Sequence, residues 1–97
     1  MIRRLFGMFI RASQNDRIRF RLLPQAEQAR IIYLFEDAKQ LNLNSSPESL
    51  RAMMRELGRL EALYSLEKAP EIWERAHYHA QNISYCLYRQ SDSFKPS

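Results

Sequence analysis

One cysteine, Cys86, stands in a chain of 97 residues, so no disulfide can form within it, and a reducing compartment is the natural setting. Glycine is almost as scarce. Gly7 and Gly58 are the only two, too few for a phosphate-cradling loop. Two histidines, His77 and His79, leave almost nothing from which to build a metal site. They lie two apart, which on a helix turns them about 200° from each other, and neither stands three or four residues from Cys86. No run of roughly twenty apolar residues exists for a membrane span. The opening apolar stretch, Leu5 to Ile10, ends at Arg11 before it reaches the length of a secretory core. No two carboxylates stand together in apolar sequence, so general acid–base chemistry has no candidate. The expectation is a single small domain that is not an enzyme, needs no cofactor or metal, and works in the cytoplasm.

What is present is unevenly spread. Residues 1–21 carry six arginines against Asp16 alone, a net of +5, while the remaining residues carry nine bases against ten acids. A basic arm thus precedes a near-neutral body. Within the arm, residues 2–12 can form a short helix, and Ser13-Gln14-Asn15-Asp16 is a turn cluster. Arg17 to Leu23 then alternates basic and apolar, placing Ile18, Phe20 and Leu22 on one face of an extended chain. No second alternating run is available to pair with it. The stretch is therefore an extended linker, a helix whose pattern misleads, or a segment that pairs with another protein.

From Pro24 onward the pattern is helical. The first segment runs from Gln25 to about Leu41, with Ala29, Ile32, Tyr33, Phe35 (or Glu36) and Leu41 as its expected inner face. Ser46-Pro47-Glu48 is the clearest helix start, with Ser46 as N-cap and Pro47 in the first turn. Ser45 with Glu48 offers an alternative capping box. Leu50, Met53, Leu57, Leu60 and Tyr64 mark the seam of this second segment, expected to reach about Lys68. Gly58 inside it implies a close helix approach or a tolerated weakness. Pro70 opens a third segment with the seam Trp73, Ala76, Ala80, Ile83 and Leu87. The expected fold is all-α, a small three-helix bundle over residues 24–90, with an N-terminal arm at 1–23 and a polar tail at 91–97.

Two basic features invite a partner. Arg51, Arg55 and Arg59 recur every fourth residue, and like charges at that spacing mildly repel unless an acid neutralises them. Glu48 and Glu56 are the nearest neutralisers, and a plain solvated face is the simpler reading. The arm interleaves Arg3, Arg4, Arg11, Arg17, Arg19 and Arg21 with Phe6, Phe9 and Phe20. Its apolar groups need burial, against a partner or against the body. Tyr78, Tyr85 and Tyr88 lie near one side of the last helix, a pattern that suits a core rim or an interface.

Over its whole length the chain resembles the small anti-RecBCD proteins of lambdoid phages, of the Abc type. The resemblance lies in its length, the opening Met1-Ile-Arg-Arg-Leu-Phe-Gly-Met-Phe9, and the arginine-rich helical character without an enzyme motif. It implies a phage protein made inside a bacterium, which binds the host RecBCD helicase–nuclease through its RecC subunit. Such a protein protects linear phage DNA and favours phage recombination. No residue role is carried over from the family. The partner contacts expected from the residues themselves are the arginines and phenylalanines of the arm with Arg51, Arg55 and Arg59. The competing expectation is a small nucleic-acid-binding protein whose arm follows phosphates. A near-neutral body without a helix-turn-helix turn argues against it.

Overall fold

A computed structural model describes residues 17–93. Three helices make up the body: α1 (Gln25–Gln40), α2 (Pro47–Leu63) and α3 (Pro70–Ser93). Among the described residues there is no strand. The described residues form a small all-α three-helix bundle, and no helix among them is long and apolar enough to cross a membrane.

The caps explain where the helices begin. The Ser46 hydroxyl accepts the Ser49 N–H at 3.1 Å, which satisfies one of the free amides of the α2 first turn. Ser45 serves the preceding loop instead, its hydroxyl accepting the Asn42 N–H at 2.9 Å. The second helix stops at Leu63, earlier than the seam suggests. Ser65 starts a turn of its own there: its hydroxyl accepts the Lys68 N–H, and its carbonyl accepts the Ala69 N–H at 2.7 Å. A serine that offers local acceptors competes with the helix for backbone donors. At the other end α3 continues to Ser93, into the segment expected as a polar tail.

The core lies chiefly between α2 and α3. Leu50, Leu57, Leu60 and Tyr64 are buried from α2, and Ile72, Ala76, Ala80 and Ile83 from α3. Both expected seams are therefore in place, with Met53, Trp73 and Leu87 half-buried at their edges. Ala69 and Ile72 join the core ahead of Trp73. Small residues at Ala69, Ala76 and Ala80 let the α3 backbone come close to α2.

The inner face of α1 differs from the expected one. Ile31 and Ala38 are buried, while Ala29, Ile32 and Tyr33 are exposed. Ile31 to Phe35 is an unbroken apolar run that surrounds the helix, so periodicity gives it no direction. Docking on the α2–α3 pair selects Ile31, one residue before the expected position, and leaves Ile32 and Tyr33 outside.

The alternating stretch resolves in a similar way. Arg17–Arg19 is extended, and the Ile18 N–H donates to the Lys68 carbonyl at 2.8 Å. A 3-10 turn then occupies Phe20–Leu22. That turn breaks the period of two: Ile18, Phe20 and Leu23 pack against the core, and Leu22 points to solvent. The Gln28 amide holds the turn by donating to the carbonyls of Arg21 and Leu23. Residues 17–23 are thus seated on the body. The expected helix at 2–12 and turn at 13–16 lie outside the described residues.

Candidate partner-binding surface

Arg17, Arg19 and Arg21 are exposed, as are Arg51, Arg55 and Arg59. Only Arg59 has found an acid within these two groups, pairing with Glu56 one turn before it. Arg51 and Arg55 have no ion-pair partner among the described residues, nor do the three arginines of the extended segment. Phe20 behaves differently from its neighbours. It is half-buried and lines a cleft between α1 and α3 with Ile32, Phe35 and Ile72. The Phe20 ring therefore serves the fold at least as much as a partner. Arg3, Arg4, Phe6, Phe9 and Arg11 lie outside the described residues.

The outer face of α3 is more exposed than a core rim would be. Tyr78, Tyr85 and Tyr88 are 60%, 56% and 67% exposed. Helical spacing places Tyr78 and Tyr85 two turns apart on one side, with Arg75 and Arg89 on the same side. Glu71 and Arg75, spaced for a helical ion pair, instead flank the α1/α3 cleft without closing on each other. On α1, Ile32 is exposed at the same cleft as Arg75. Tyrosine and arginine around aliphatic groups are the side chains that protein interfaces favour.

The histidines point into different surroundings. His79 is buried, its ring 5.0 Å from that of Phe35 and 5.5 Å from that of Tyr78. Burial holds its pKa below the ordinary value, and the nearby Lys39 and Arg75 act in the same direction against Glu36. His77 stacks on Trp73 at 4.5 Å, and its Nδ1 lies 2.8 Å from a Glu61 carboxylate oxygen. That contact ties α3 to α2. Burial likewise pushes the Tyr64 hydroxyl pKa up, with Glu27 adding to it and Arg30 opposing. Cys86 is half-buried beside Ile83 and His79 at a second α1/α3 opening. Among the described residues no three histidine, cysteine or acidic side chains come together as a metal site would require.

No known protein family, curated protein or solved structure matches the chain.

Proposed function

We propose that this chain is a non-enzymatic protein-binding module: a phage inhibitor or modulator that docks on the host RecBCD helicase–nuclease, through RecC, inside the bacterial cell. In this role it keeps linear phage DNA from degradation and favours phage recombination. The observation that carries the docking reading is the exposed tyrosine face of α3, where Tyr78, Tyr85 and Tyr88 all stand more than half in solvent. The rings supply apolar area, and the exposed Arg51 and Arg55 of α2, which have no ion pair among the described residues, can each form a two-pronged contact with a partner carboxylate. The choice of RecBCD rests on the resemblance in length, opening residues and arginine-rich helical character.

The test is co-purification of the tagged chain with RecBCD, and with RecC alone, at physiological salt and without DNA. Retention of both, weakened at least tenfold by Tyr78→Ala with Tyr85→Ala, is the expected result. Absence of retention from a folded chain overturns the choice of partner.

A further inference from the structure

His79 is the one polar or charged residue among the described residues that is buried, and it stands where α1 meets α3. Its ring packs on Phe35 of α1, yet among the described residues its nitrogens have no hydrogen-bond partner. The junction around it is loosely filled. Along α1 only Ile31 and Ala38 are buried. Between the C-terminal half of α1 and α3 lies an opening of about 250 Å³, with Ala38, Lys39 and Leu41 on one side and His79, Asn82 and Cys86 on the other. The charges are unbalanced as well. Lys39 of α1 and Arg75 of α3 act on the ring against Glu36 of α1, and Glu36 is already engaged by Lys39 at 3.4 Å. Tyr78 and Cys86 of α3 are the other titratable side chains beside it, and no charge from α2 acts on it.

We propose that His79 is a proton-operated latch: its neutral ring holds the C-terminal half of α1 on α3, and its protonation lets that half swing away. An imidazolium donates from both nitrogens. The closed junction supplies no acceptor for either and sets two cations nearby. Moving α1 outward gives the ring water and takes Lys39 away from it.

Linkage fixes the direction. In the closed form, burial and the two cations hold the His79 pKa below its ordinary value. In the open form the ring regains that value, about 6.5. The open form therefore binds the proton more readily and gains population as pH falls through that value. The motion has limits at both ends. Gln28 holds the turn before α1, and Gln90 donates to the carbonyls of Leu43 and Ser45 after it. None of these groups titrates. The moving stretch is therefore about Phe35 to Leu41, and its release uncovers Phe35, Ala38 and Ile83 beside the exposed Tyr78. His77 has the opposite setting, because its Nδ1 faces Glu61 of α2 and a proton there adds attraction between α2 and α3.

Amide hydrogen exchange in the full chain tests the latch, with protection corrected for intrinsic rates at pH 7.5 and pH 5.5, where carboxylates stay charged. The expected result is a loss of protection of at least about threefold over Phe35 to Gln40 at the lower pH, with smaller changes at Leu57, Leu60 and Ile83. His79→Gln should abolish the difference between the two pH values, and His77→Gln should leave it. Lys39→Met keeps the imidazole and removes one of the cations, so it should reduce the loss. Equal loss in all three helices, no loss in α1, or a loss that persists in His79→Gln overturns the proposal. If His79→Gln leaves α1 unprotected at both pH values, Lys39→Met decides, and an undiminished loss in that variant overturns it.

Discussion

Leu57 and Ile83 are the most informative core positions, because each sits in the middle of its seam and is almost wholly buried. Truncating either to alanine should cost about 2–5 kcal/mol of stability, the transfer term plus the cavity left behind. Chemical denaturation measures this, and unchanged midpoints would mean that the core lies elsewhere. Gly58 gives the opposite sign. A Cβ added there meets nothing within 4 Å, and the backbone has no positive φ that only glycine tolerates. Of the two sequence readings, close approach or tolerated weakness, the open space supports the second. Gly58→Ala should stabilise the protein by about 0.5–1 kcal/mol in the same assay. His79 provides a pH handle. Its folded pKa lies below the unfolded value, so the unfolded chain binds the proton first as pH falls. Stability is therefore full above about pH 6.5 and declines as pH drops below it. His79→Gln should flatten that decline, and an unchanged slope would mean that other groups cause it.

At the scale of elements, legibility followed the contrast of the pattern. The second helix carries a serine cap, a proline in its first turn and apolar residues three and four apart, and all of these were readable. Ser46→Ala should cost about 1 kcal/mol, because the Ser49 amide loses its acceptor. Circular dichroism melting checks this, and no change in midpoint would mean that water caps the helix equally well. The first helix was readable as a helix but not as a face, since Ile31 to Phe35 is apolar throughout and only tertiary docking selects Ile31. The arginine-alternating stretch was half legible. Its extended start at Arg17–Arg19 follows the pattern and is held by the Ile18 N–H at the Lys68 carbonyl, but the 3-10 turn at Phe20–Leu22 is held by the Gln28 amide. A local pattern contains neither partner. The same holds for the tyrosine face of α3. Spacing alone grouped Tyr78 and Tyr85, but their exposure depends on α1 sitting toward one side of the helix pair.

For the whole molecule, the seating of Ile18, Phe20 and Leu23 moves the division between arm and body. Deleting residues 1–23 would remove groups that pack on the core, so the informative truncation begins the chain at Arg17. That shortened chain should keep the helical signature of the body. Within the full chain, charge reversal of Arg17, Arg19 and Arg21 should weaken partner binding more than reversal of Arg51, Arg55 and Arg59, because Arg59 already has Glu56. The central claim is that the protein acts on another protein and not on nucleic acid. The most direct measurement is a band-shift titration of linear duplex DNA at low and physiological salt, with and without purified RecBCD. The account predicts no appreciable shift from the chain alone at physiological salt, and an altered RecBCD–DNA complex when both are present. Tight binding to bare duplex that falls steeply with salt, as counterion release requires, with no effect on RecBCD, would contradict it.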